Sequence, residues 1–182
     1  MFEYLVAPTN IDFDDDIVFC LQSLMKKSKV VSPNLRKIFP FLHMFQIKYK
    51  GIFGNLLQAI NAYLIYGKDF FEDSTENLKH IFEMATLSMF RKDKPIILGN
   101  NAEGALLLHI AFQNLDGDLI KQAVGDILTN VLARLKDTPI SKTFNRVLYG
   151  VFYSTMILDV NITLTFLAQT GFIEEFFQVS FE

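Results

Sequence analysis

Residues 118–136, DLIKQAVGDILTNVLARLK, carry apolar side chains in pairs that recur every four positions. Leu119/Ile120, Ala123/Val124, Ile127/Leu128, Val131/Leu132 and Leu135 form one broad stripe, and Lys121, Gln122, Asp126 and Arg134 fall on the opposite face. That spacing specifies a helix with one wide buried side. The same pattern recurs along the chain in hairpin pairs, with no strand-like alternation between them. The chain therefore reads as stacked helical hairpins, a design whose function resides in a surface rather than a pocket.

Eight helical segments are expected. The first, 14–28, opens on Asp14, Asp15 and Asp16, negative charges that suit a helix N-terminus. Ser32-Pro33 reads as an N-cap followed by proline at the first helical position. It opens a helix over 33–47 with Leu35, Ile38, Phe39, Leu42 and Phe45 on one side, which Pro40 should kink or split. A third helix runs from Gly51 to residue 66 and ends at Gly67; a fourth, 75–91, is capped by Ser74-Thr75. The polar run 91–95 and the turn Gly99-Asn100 make the clearest break. Helices at 101–115 and 118–136 follow, the second ended by Asp137-Thr138-Pro139. A helix at 141–158 buries Phe144, Val147, Leu148, Val151 and Phe152, and one at 160–170 is closed by Gly171.

The loops between these segments are short, as between antiparallel neighbours. Paired as 14–47, 51–91, 101–136 and 141–170, the hairpins repeat at roughly 40–47 residues, the period of HEAT and armadillo arrays. The expected fold is all-α: an α-α superhelix of about four hairpins. A compact helical bundle satisfies the same periodicity. Residues 171–182 begin another apolar-striped element without a partner. Since a free-standing solenoid carries polar caps at its ends, the chain reads as a fragment.

Composition narrows the classes further. The chain has 182 residues, 51% of them apolar, 19 Phe and no Trp, with a mean hydropathy of +0.26; it has enough apolar mass for a core and is not intrinsically disordered. A net charge of −3 gives no global field for nucleic acid. The single cysteine, Cys20, excludes a disulfide framework and is expected as a small buried residue. No signal peptide is apparent, and the longest apolar stretch, 147–158, is too short to cross a bilayer. A soluble, intracellular protein is expected.

The order of segments, with several local phrases, resembles the importin-β-like karyopherins, the group containing importins seven and eight. The phrases are Val31-Ser32-Pro33 with Ile38-Phe39-Pro40-Phe41-Leu42, and Gly51-Ile52-Phe53-Gly54-Asn55-Leu56-Leu57 with Tyr63-Leu64-Ile65-Tyr66-Gly67. Ala102-Glu103-Gly104-Ala105-Leu106-Leu107-Leu108 with the 118–135 ladder, and Asn161-Ile162-Thr163-Leu164, complete them. The likeness spans most of the chain and falls in the C-terminal half of those receptors. It implies a non-catalytic segment of a nuclear import receptor moving between cytoplasm and nucleus. Such a receptor carries protein cargo past Phe-Gly nucleoporins at the nuclear pore under Ran·GTP control, and its main Ran-contacting repeats lie outside this region. A HEAT-repeat scaffold subunit unrelated to transport is the alternative; a compact helical enzyme or ligand carrier is the third.

No catalytic, cofactor or metal-binding constellation is legible. His43, His80 and His109 are far apart in sequence, and His109 is expected at the core edge with a hydrogen bond. Gly67-Lys68-Asp69 lacks the upstream glycine and the Ser or Thr of a phosphate loop. Asn161-Ile162-Thr163 fits a glycosylation sequon but lies at a helix start. Charge distribution is the one site-like signal: residues 17–68 hold eight Lys or Arg and no acid, and 147–182 hold four acids and no base. The basic group Lys26, Lys27, Lys29, Arg36 and Lys37 gathers at one hairpin turn. Lys26, Lys27 and Lys29 are candidates for an acidic partner, and Asp116, Asp118, Asp126, Glu174 and Glu175 for basic cargo such as ribosomal proteins or histones. Direct nucleic-acid or membrane binding is not expected.

Overall fold

The computed structural model of the protein describes residues 11–48, 53–90, 100–137 and 142–180, and every regular element among them is helical. The elements are α1 (Ile11–Ser28), α2 (Pro33–Arg36), α3 (Phe39–Lys48), α4 (Phe53–Tyr66), α5 (Lys68–Glu72) and α6 (Thr75–Met89). They continue as α7 (Asn100–Asn114), α8 (Asp118–Lys136), α9 (Lys142–Leu158), α10 (Val160–Gln169) and α11 (Ile173–Ser180). The expected helix over 33–47 is two pieces, and α5 is an element that periodicity does not predict. Where helix ends are capped, the sequence logic holds. Ser32 and Ser74 accept the backbone N–H groups of Leu35 and Asn77. Gly171, at φ +66, ends α10 with Gly171 N–H on Ala168 and Phe172 N–H on Leu167, the reciprocal closure that a left-handed residue permits.

Helix order in sequence becomes layer order in space. In one layer α1 packs on α4, α4 on α7 and α7 on α9; in the other α3 packs on α6, α6 on α8 and α8 on α10. Cross-layer contacts of α3 with α4, α6 with α7, α8 with α9 and α9 with α10 close the interior, and α11 packs on α10. The α6–α7 pair is the most extensive, because Gly104 sits where the two helices touch. A Cβ there would lie 2.4 Å from the Ala85 carbonyl oxygen and 2.9 Å from Met89 Cγ and Ser88 Cβ.

Aromatic rings fill the wider gaps. Phe39 is fully buried and lies 5.3, 5.6 and 5.0 Å from the rings of Tyr63, Phe70 and Phe71, in the tilted and edge-on geometries that aromatic quadrupoles favour. The Tyr63 hydroxyl donates to the Leu35 carbonyl at 2.6 Å. Phe152 anchors a second cluster with Phe166, Phe172 and Phe176.

Cys20 and Arg134 depart from the expectations, and Pro40 meets its own. Cys20 is exposed, because the inward stripe of α1 is Val18, Leu21, Gln22 and Met25, and Cys20 falls between its rows. Pro40 splits its helix as expected, since it has no N–H to offer the Arg36 carbonyl. The discontinuity lies at Lys37 and Ile38, and Pro40 occupies the first turn of α3, where a missing N–H leaves no bond unmade. Arg134, placed on the polar side of the ladder, is only 8% exposed. Its Nε donates to the Met89 carbonyl at 2.9 Å, Nη1 meets Asp137 Oδ2 at 3.0 Å, and its guanidinium lies over the Phe144 ring. The fold keeps the charge inside by supplying a carbonyl, a carboxylate and an aromatic face. The opening carboxylates Asp14 and Asp15, Gly51, the break at 91–95 with Gly99, and Thr138-Pro139 lie outside the residues, or the side chains, that are described.

Two glycines in helix interiors should respond with opposite signs. Gly125 in α8 has open space where a β-methyl group would stand, so Gly125→Ala should stabilise by roughly 0.5–1 kcal/mol through helix propensity. Gly104→Ala gains the same propensity but collides with the α6 backbone, and should destabilise by about 1–3 kcal/mol. Denaturant melts of the two variants check both signs. Leu128 is fully buried, so Leu128→Asp should abolish cooperative unfolding, a loss of more than about 4 kcal/mol; a native circular-dichroism melt for that variant contradicts the assigned face.

Candidate functional site

The inward stripe of α6 is Leu78, Ile81, Met84, Ala85 and Met89. Its periodicity turns His80, Phe82 and Glu83 to the flanks. α3 lies along one flank, held by Gln46 Nε2 donating to the Met84 carbonyl at 2.8 Å. This contact brings His43 of α3 to His80, with ring centroids 4.9 Å apart. Glu83 Oε2 lies 3.7 Å from His43 Nε2 and 3.8 Å from His80 Nδ1. One ligand-type atom from each of the three residues lies within 4.8 Å of the others.

Both ring nitrogens that face Glu83 are buried and without a hydrogen bond. Burial pushes the His43 imidazole below its ordinary value, His80 adds to the effect, and Glu83 opposes it. The neutral ring offers a lone pair. Glu83 is the exposed member, and Lys79 lies 3.7 Å from its other oxygen.

Two members of the cluster, His43 and Glu83, line an open groove of about 810 Å³ between α6 and α8. Leu78, Phe82 and Leu87 of α6 and Leu119 and Ala123 of α8 give it apolar walls beside His43 and Glu83. Leu87 is half exposed there. The groove lies between neighbouring helices of one layer, and its volume suits several apolar side chains.

The residues singled out from charge do not form one site. Lys26 and Lys27 are exposed in the last turn of α1. Lys29, with φ +57, donates to the Tyr66 hydroxyl at 3.0 Å and lies over that ring. Arg36 is bound to Asp69 at 2.5 Å. Asp116 accepts from Lys68 at 2.6 Å, and this bond lowers its carboxyl pKa. The backbone N–H groups of Asp116 and Gly117 are held by Glu72. Asp118 and Asp126 lie on α8, and Glu174 and Glu175 on the first turn of α11. Lys29 and Asp116 thus join elements of the fold. His109 is half-buried, with its Nδ1 against the Gly150 carbonyl at 3.2 Å and the Ser154 hydroxyl; the bond is long-range, from α7 to α9.

Sequence reasoning treats the three histidines as isolated and so misses the His43–His80–Glu83 cluster. His80 and Glu83 stand at i and i+3 on a helix, neighbours on one face, and that half is legible. No helix among the described residues is long and apolar enough to cross a membrane. No family model, curated protein or solved structure matches the chain.

The His43 environment has a measurable consequence. Its folded-state pKa lies below the unfolded value of 6.5, so the unfolded chain binds the proton more readily and acidification favours unfolding. In chelator-treated buffer the melting temperature should fall as pH drops through 6.5, and His43→Gln should flatten that dependence. An imidazole NMR titration of His43 with a midpoint at or above 6.5 contradicts the burial argument.

Proposed function

We propose that the chain is a non-catalytic, protein-binding segment of a HEAT-like superhelix belonging to a nuclear import receptor of the importin-β-like group. Two features support the reading. Helices of alternate order stack in two layers, as like-placed helices of successive repeats do in a hairpin array. The α6–α8 groove lies between same-layer helices of neighbouring hairpins and is walled by Leu78, Phe82, Leu87, Leu119 and Ala123.

The groove is the observation that carries the proposal. Phe-Gly segments would place aromatic side chains in it, while the carboxylates Asp118, Asp126, Glu174 and Glu175 would meet basic cargo. Ran·GTP would act through parts of the parent protein outside this chain. The family itself rests on the resemblance in segment order; without it, the same groove serves a HEAT scaffold with a fixed protein partner.

A Phe-Gly repeat peptide should bind saturably, and the Ser-Gly version should not. Leu87→Asp, at a half-exposed position, should abolish binding while preserving the melt. In parallel, partners captured on the parent protein should be released by Ran·GTP locked against hydrolysis. Peptide binding that ignores the Phe-to-Ser change refutes the groove assignment, and partners indifferent to Ran refute the transport reading and leave the scaffold.

A further inference from the structure

We propose that His43, His80 and Glu83 form a zinc site with one coordination position open towards the α6–α8 groove. The site is independent of which protein the groove binds. Its three donors converge: Glu83 Oε2 is 3.7 Å from His43 Nε2 and 3.8 Å from His80 Nδ1, and one donor atom per residue lies within 4.8 Å of the rest. Both facing ring nitrogens are buried and unbonded. Native proteins leave few such atoms unsatisfied, and a cation between the rings uses both lone pairs at once.

The donor chemistry narrows the metal to zinc or ferrous iron, of which zinc needs no redox partner. Two imidazoles exclude a site built for magnesium or calcium, which take oxygen ligands. Two nitrogens and a carboxylate match zinc bound by three side chains with a fourth tetrahedral position left over. Zinc–ligand bonds of about 2.0–2.1 Å set tetrahedral donors about 3.3 Å apart. Closing the Glu83 gaps from 3.7 Å needs about 0.4 Å of movement, and a donor pair at the 4.8 Å bound about 1.5 Å, which rotation of the two rings and of a partly exposed Glu83 supplies. Lys79, 3.7 Å from Glu83 Oε1, is 70% exposed and on a flexible stem, so it can swing into solvent as the cation enters.

The ion would bridge α3 and α6, helices of successive hairpins in one layer. They are otherwise tied by the buried Gln46–Met84 hydrogen bond. Occupancy should therefore stiffen the groove beside His43 and Glu83, and the open position would accept water or a histidine, cysteine or carboxylate from a docked chain.

The test uses the full chain, stripped with chelator, and Zn²⁺ or Co²⁺ as the only added ligand. Dialysis with elemental analysis should give one Zn²⁺ per chain, and Zn²⁺ should raise the melting temperature. Co²⁺ should develop the intense visible bands of a low-coordinate site. His80→Asn and Glu83→Gln should each weaken binding by more than about 100-fold, beyond the loss from an outer-shell change, while His109→Gln should not. Glu83→Gln alters a partly exposed carboxylate and keeps the fold, which circular dichroism verifies. No stoichiometric Zn²⁺, a weak octahedral Co²⁺ spectrum, or affinity untouched by Glu83→Gln overturns the site.

Discussion

The close approach of α6 to α7 at Gly104 sets the geometry on which the rest of the molecule depends. A side chain there would enter the α6 backbone at Ala85, so only hydrogen lets the two helices meet at this distance. Once they meet, Ser88 and Met89 on α6, and Ala105 and Leu108 on α7, are sealed in the interior. The axis of α6 is then fixed, and with it the direction of every side chain that α6 turns outward. Phe82, Glu83 and Leu87 face the groove because the opposite side of their helix is pressed against α7.

Much of the secondary structure is legible because its signals are local. The ladder over 118–136 and α8 coincide at both ends, since a four-residue apolar period and a Gly117 start need no tertiary information. The serine caps at 32 and 74 and the glycine exit at 171 are likewise decided within a few residues. Failures arise where a partner from elsewhere decides the outcome. Arg134 has the sequence context of a solvent-facing residue, and only the end of α6 and the start of α9 provide the carbonyl and ring that draw it inward. The five residues of α5 are too few for periodicity to register.

The histidine cluster shows the same division. The His80–Glu83 half follows from helical spacing alone. The His43 half depends on α3 lying along α6, which Gln46 and the layer stacking determine across 38 residues of sequence. Charge runs mislead in the opposite way: Lys29 and Asp116 have the look of docking charges and instead join α1 to α4 and α7–α8 to α5. A charge count reports where ions are, not what already holds them.

Arg134 has a consequence for how the protein opens. One guanidinium here grips the end of α6, the exit of α8 and a ring at the start of α9, so three helices share a single anchor. Separating α9 from α6 and α8 therefore costs a buried cation all of its partners at once, so these helices open together rather than one seam at a time.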